Sequence, residues 1–217
     1  MNRYEIAVFD VDGTLLDTTE GVLAAARHAI QVYGYPMPSE EILRTFIGPP
    51  IQDSFAKTYH LEKEKADAMA AVFRTSYKDE HLYEAKPYDG IYNLMDELAK
   101  RGIKIAVATY KRQDYAEGIL KHFGFDRYSN VLYGADFEGK LKKVDIIRKC
   151  MIDLGSTNYQ NAVMIGDSWH DANGAEQIGV DFIGVTYGFD FRTEEDVRKC
   201  TCIGSADTPM EILRFFE

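Results

Sequence analysis

Cysteine is scarce in this sequence: its 217 residues hold three, Cys150, Cys200 and Cys202. Three thiols make no even disulfide framework, and none is spaced with a second cysteine or histidine pair as a zinc site requires. Cys200-Thr201-Cys202 therefore reads as ordinary reduced thiols. Positive charge is in deficit too, with 25 lysines and arginines against 35 aspartates and glutamates and a net charge of −10. Such a surface repels a nucleic-acid backbone over most of its area, which argues against DNA or RNA as a bulk partner but not against a small phosphate ester in a locally positive cleft. Long apolar runs are missing: nowhere do about 18 apolar residues follow one another, as a membrane span needs. The opening Met1-Asn2-Arg3-Tyr4-Glu5 has no apolar signal segment, and Asp10 and Asp12 interrupt the apolar run that follows. The expectation is a protein of a reducing cytoplasm that works on neither nucleic acid nor membrane.

What is present is ordinary for a globular chain, 46% hydrophobic and 28% charged, and long enough for one good-sized domain or a core with a smaller insert. Five short apolar runs recur, Ile6–Phe9, Ile103–Ala108, Val131–Tyr133, Ala162–Ile165 and Phe182–Val185. They are nearly continuous rather than alternating, as strands buried on both faces of a parallel sheet would be. Asp89–Lys100, with Ile91, Leu94, Met95 and Leu98 at helical spacing and Gly102 behind it, reads as a helix. Val144–Leu154 and Ala172–Ile178, closed by Gly155 and Gly179, read alike. Strand–helix alternation with short connections predicts an α/β fold, a doubly wound and mostly parallel sheet.

The rhythm breaks between Leu16 and about Ala85, where helical periodicity replaces strand candidates. Val22, Leu23, Ala26, Ala29, Ile30 and Tyr33 form one stripe, and Ala66, Met69, Ala70, Phe73 and Tyr77 another. Ser39 looks like an N-cap with Glu40 and Glu41 in the first turn, and Gly48-Pro49-Pro50 marks a break. The simplest division is a core of residues 1–15 and 86–217 carrying an all-helical insert of residues 16–85.

Chemistry concentrates at strand ends. Phe9-Asp10-Val11-Asp12-Gly13-Thr14-Leu15 follows the first strand with two carboxylates two residues apart. An EF-hand reading fails, because Gly13 comes too early and no bidentate glutamate follows. Met164-Ile165-Gly166-Asp167-Ser168-Trp169-His170-Asp171 ends the fourth strand, with two more carboxylates four apart, oxygen donors of the kind magnesium takes. Val107-Ala108-Thr109-Tyr110-Lys111 ends the second strand with a hydroxyl, and Lys140, Lys142 and Lys143 crowd the turn before Val144. In an open α/β sheet, ligands bind beyond the carboxyl ends of the strands, where Asp10, Thr109 and Asp167 all fall.

These four segments, in this order, resemble the motifs of the haloacid-dehalogenase-like superfamily, and the helical insert stands where one branch of it carries a cap. Phe46-Ile47-Gly48-Pro49-Pro50 and Gly184-Val185-Thr186-Tyr187-Gly188 resemble the phosphoglycolate-phosphatase-like branch. The resemblance implies a Rossmann-like core and a magnesium-dependent phosphatase acting on a small phosphorylated metabolite. Asp10 would be the nucleophile that becomes an aspartyl-phosphate, and Asp12 the acid that protonates the leaving alcohol and then deprotonates water. Asp167 would bind Mg2+ beside Asp10 and the main-chain carbonyl of Asp12, with Asp171 orienting them. Gly13, Thr109 and Tyr110 would lie against the phosphoryl group, although a tyrosine departs from the small or polar residue usual at that place. One lysine would neutralise the phosphoryl oxygens. Lys143 aligns best and Lys142 is the alternative.

The demand on such a site is large, since hydrolysis of a phosphate monoester needs on the order of 20 kcal/mol or more of catalysis. A phosphomutase would carry the same motifs and exclude water from the intermediate. A phosphonate hydrolase would need a Schiff-base lysine in the cap, for which nothing marks Lys57, Lys63 or Lys65. A metal-free dehalogenase would not need Asp12 and Asp167 together. A catalytically inactive module that binds a phosphometabolite is the reading from outside enzymology, and the presence of every essential carboxylate speaks against it.

Overall fold

The structure, a computed structural model, describes residues 3–138 and 140–217. Met1 and Asn2, which open the expected core, and Gly139, ahead of the lysine-rich turn, lie outside the described residues. The chain divides into two compact units, one running from its start to Leu16 and again over Pro87–Glu217, the other Asp17–Lys86.

The strands are β1 (Ile6–Phe9), β2 (Leu16–Asp17), β3 (Lys86–Pro87), β4 (Lys104–Arg112), β5 (Leu132–Ala135), β6 (Ala162–Gly166), β7 (Asp181–Val185) and β8 (Gly204–Ala206). Six of them form one sheet in the order β5-β4-β1-β6-β7-β8, while β2 and β3 pair with each other. The named pairings within the six-stranded sheet are parallel: Ile6 faces Lys104 on one side of β1 and Ala162 on the other, and Phe9 faces Val107 and Ile165. Every residue of β1 and β6 is buried, which is why those runs are continuous instead of alternating. Ile6, Val8, Ala106, Ala108, Met164 and Phe182 share one apolar core with Ile146, Ile147, Cys150 and Met151 of a covering helix.

Four helices make up most of the second unit: α1 (Thr19–Val32), α2 (Glu40–Arg44), α3 (Ile51–Tyr59) and α4 (Lys63–Ser76), followed by a π-helical turn over Tyr77–His81. The stripe Val22, Leu23, Ala26, Ala29 and Ile30 is buried, as are Ala66, Met69, Ala70, Phe73 and Tyr77. Ser39 caps α2 by accepting the Ile42 N–H. The sheet unit carries α5 (Ile91–Lys100), α6 (Gln113–His122), α7 (Lys143–Asp153), α8 (Trp169–Ile178) and the short α9 (Glu194–Val197). Among the described residues no helix is long and apolar enough to cross a membrane.

Several expectations need correction. The stretch from Leu16 is not strand-free, because Leu16 and Asp17 form β2; a two-residue strand leaves no periodicity to read. β8 and α3 were not expected: Gly204-Ser205-Ala206 lacks the β-branched and aromatic residues that signal a strand, and α3 follows directly on Gly48-Pro49-Pro50. Helix α8 begins at Trp169, three residues before the expected Ala172. Ser168 and Asp171 explain the early start, since the Asp171 carboxylate accepts both the main-chain N–H and the hydroxyl of Ser168, at 3.1 and 2.6 Å.

Candidate active site

Parallel pairing sets the site. β1 lies between β4 and β6, so the carboxyl-terminal parts of the three strands lie side by side; β4 runs on to Arg112, so Thr109 stands within the strand and not beyond the expected end at Ala108. Asp10 follows β1 directly, and its N–H still donates to Ile165 O of β6. The chain then turns sharply: the carbonyl of Val11 accepts the N–H groups of Thr14, Leu15 and Leu16. Gly13 sits in this turn at φ +79°, and a Cβ there would collide with Asp167 Oδ2. Only glycine combines that backbone conformation with that close approach.

Three carboxylates meet beyond this turn. One oxygen each of Asp10, Asp167 and Asp171 lie within 4.8 Å of one another, and all three residues are buried. Lys143, the first residue of α7 and 3% exposed, points its ammonium between two of them, 2.7 Å from Asp10 Oδ1 and 2.6 Å from Asp171 Oδ1. The contact to Asp10 is a hydrogen bond. That to Asp171 is a buried ion pair, and it helps to keep the ammonium charged. Asp167 Oδ2 accepts the Phe189 N–H at 2.6 Å.

Burial and mutual repulsion set the charge state. Burial, reinforced by Asp171 and Asp12 and opposed by Lys143, raises the Asp10 carboxyl from 3.8 to about 7. Asp167 is pushed well above the ordinary range by burial first, then by Asp171 and Asp10. Burial would lower Lys143, but Asp10 and Asp171 outweigh it and hold the ammonium charged. One lysine thus faces three buried carboxylates, a set short of positive charge. A hard divalent cation on this all-oxygen set would supply the missing positive charge, so the residues fit the magnesium that the sequence motifs imply.

The remaining expected residues fall around this cluster. Thr109 is buried, and its hydroxyl oxygen accepts the Lys111 N–H at 3.1 Å. The Tyr110 hydroxyl accepts the main-chain N–H of Lys143 at 3.0 Å, and the lysine ammonium lies 5.5 Å from the centre of the same ring. The tyrosine therefore bears on the lysine. Lys142 is exposed, and its N–H donates to Asp145 Oδ2 at the start of α7. The geometry separates the two lysines that sequence alone left open. Asp12 stands apart from the carboxylate cluster: its side chain pairs with Lys111, Nζ to Oδ1 3.1 Å. Sequence reasoning passed over Lys111, which lies two residues beyond Thr109 in an irregular stretch of β4 where alternation gives no guide.

Comparison with known proteins places the chain in a family. The haloacid dehalogenase-like hydrolase family matches residues 7–185, most of the chain. The chain belongs to the haloacid dehalogenase-like hydrolases. A 5'-nucleotidase of Pseudomonas aeruginosa is 36% identical over 197 residues, covering 90% of this chain and 88% of its own. A protein named tyrosine-protein kinase PtkA, from Mycobacterium tuberculosis, is 31% identical over 209 residues, 96% of this chain and 71% of its own. The crystal structure of a predicted phosphatase from Clostridium acetobutylicum superposes with a TM-score of 0.88 at 31% identity, covering 97% of this chain and 99% of that one. The names of these similar proteins describe different phosphoryl chemistries, so the likeness alone does not choose a substrate.

Proposed function

We propose that the protein is a magnesium-dependent phosphatase that cleaves a small phosphomonoester through an aspartyl-phosphate on Asp10. The observation that carries this reading is the Lys143 ammonium lodged between Asp10 and Asp171, with Asp167 closing the cluster. A buried charge set with an excess of carboxylates is costly to fold and suits a site that binds a cation and a phosphoryl group. The 5'-nucleotidase relative and the phosphatase named among the similar structures support the reaction class.

Asp10, Asp167 and Asp171 would hold the cation, with the main-chain carbonyl of Asp12 as the family resemblance implies. Bound there, it would neutralise the carboxylates and the phosphoryl oxygens that must approach them. An Asp10 oxygen forms a bond to phosphorus as the bond from phosphorus to the ester oxygen breaks, and Asp12 gives its proton to the departing alcohol. Asp12 then takes a proton from water, whose oxygen attacks phosphorus; the bond to Asp10 breaks and free phosphate leaves. Lys143 holds Asp10 in line and counters the charge that the phosphoryl group brings. Thr109 is the hydroxyl for a phosphoryl oxygen. Three thiols and no paired framework fit a reducing cytoplasm as the place of action.

The test is phosphate release from a panel of phosphomonoesters with magnesium and after exhaustive chelation, with Asp10→Asn as control. Turnover that needs the cation and vanishes in the variant is expected. Undiminished turnover after chelation would overturn the metal assignment, and wild-type rates in Asp10→Asn would place the nucleophile elsewhere.

A further inference from the structure

The site contains a second lysine, with a largely enclosed side chain, and it serves a different carboxylate. Lys111 lies on β4 two residues beyond Thr109, and its side chain is only 6% exposed. Its Nζ is 3.1 Å from Oδ1 of Asp12, whose side chain is 11% exposed. The register of the sheet explains the meeting. Phe9 of β1 is paired with Val107 of β4, so Asp12, three residues beyond Phe9, and Lys111, four beyond Val107, lie toward the carboxyl ends of neighbouring strands. Two features hold the lysine in place. Its N–H is tied to the Thr109 hydroxyl, and its ammonium is held by Asp12. The main chain of Asp12 is also fixed, bridged to Leu16 across the tight turn. Lys111 reaches the Asp12 carboxylate from the neighbouring strand.

We propose that Lys111 is a positioning residue that, by holding Oδ1 of Asp12, turns the other carboxyl oxygen, the one that carries the proton in the first step, toward the leaving-group oxygen. The inference rests on the reading of Asp12 as the acid of the phosphatase reaction. The two lysines then divide the work: Lys143 serves Asp10 and Asp171, whereas Lys111 holds the group that moves the proton. Proton transfer requires a donor within hydrogen-bond reach of its target, and a carboxylate free to rotate spends much of its time out of reach. The consequence is selective. An alkoxide leaving group cannot depart without a proton, so misaiming Asp12 is felt there. Acetate departs from acetyl phosphate as a stable anion and needs no proton.

The experiment measures kcat/KM, which reports transfer to Asp10, for the alkyl phosphate that wild type cleaves fastest and for acetyl phosphate. Lys111→Met and Lys111→Arg are compared with wild type, with melting temperature confirming the fold and Lys111→Gln as a substitute where Lys111→Met does not fold. General acid catalysis contributes on the order of 10²–10⁴-fold. Lys111→Met is therefore expected to lose about 10²-fold or more on the alkyl ester and less than about tenfold on acetyl phosphate, with Lys111→Arg recovering part of the loss. In the Asp12→Asn background, Lys111→Met is expected to cost nothing further on the alkyl ester. Equal losses on both esters, or a full additional loss in the double variant, would show that Lys111 grips the phosphoryl group itself and would overturn the proposal. A wild type that cleaves neither ester would overturn the phosphatase reading, and this assignment with it.

Discussion

In the sheet unit Asp10, Lys143, Asp167 and Asp171 are all buried, whereas in the helical unit Asp17–Lys86 the buried polar side chains are only Thr18, Ser54 and Ser76. The helical unit keeps its charges outside its interior, as the exposed pair of Arg27 with Glu40 illustrates, at 2.6 and 2.8 Å. The difference teaches what the buried charges are for. A helical unit of this protein folds around Phe55, Met69, Phe73 and Ile30 without burying any ionised side chain, so nothing general about stability requires it. Moving charges out of water costs several kcal/mol each even when they are paired. Three carboxylates around one lysine are not fully paired, and the excess is what a divalent cation would balance.

The largest effect that would break this contrast is expected from Lys143→Met. Turnover of a phosphomonoester should fall by about 10³-fold or more, by analogy with loss of a preorganised electrostatic donor. The metal-free protein should lose about 3–5 kcal/mol, the cost of stranding a buried partner. Lys142→Met should change neither beyond about twofold in rate, because that side chain is exposed. Steady-state kinetics and urea unfolding check both, and a crippled Lys142→Met with an intact Lys143→Met would assign the wrong lysine. Next comes Gly13→Ala. A methyl group at φ +79°, directed at Asp167 Oδ2, should cost about 1–3 kcal/mol and weaken magnesium binding; unchanged stability and magnesium affinity would mean that the turn yields freely.

A smaller effect concerns pH. Asp10 and Asp167 have folded-state values above the unfolded 3.8, about 7 for Asp10. Their contribution to the stability of the metal-free protein is therefore fully present below about pH 4 and is lost as pH rises through the folded values. On the proposed reading, magnesium would bind the ionised carboxylates and offset that loss. The magnesium-induced rise in melting temperature should accordingly grow from pH 5 to pH 8, and a rise independent of pH would contradict the assignment of the cation to these groups. The smallest effect is reserved for the other unit: Arg27→Ala should cost less than about 1 kcal/mol, as exposed pairs do, and leave turnover unchanged.

Much of the sheet was legible because burial on both faces writes a continuous apolar run: β1, β6 and β7 match the segments read from sequence to within one residue. The carboxylates were legible because Asp10, Asp12, Asp167 and Asp171 come at short spacing directly behind such runs. β8 was not, since Gly204-Ser205-Ala206 gains its place from pairing with β7 rather than from its own composition. Nor was the choice between Lys142 and Lys143, which turns on where α7 starts; adjacent residues at a helix start point about 100° apart. Lys111 stayed hidden for another reason. Its partner Asp12 is nearly a hundred positions away in sequence, and only the pairing of β1 with β4 brings them together.

The central claim is that Asp10, pressed against Lys143, carries the phosphoryl group. The most direct measurement is a rapid acid quench of the enzyme turning over a 32P-labelled monoester with magnesium, followed by peptide mapping. The account predicts acid-stable, base-labile label on the peptide that contains Asp10, absent from Asp10→Asn and from chelated enzyme. Label on another residue, or rapid turnover with no labelled peptide under any quench time, would contradict it.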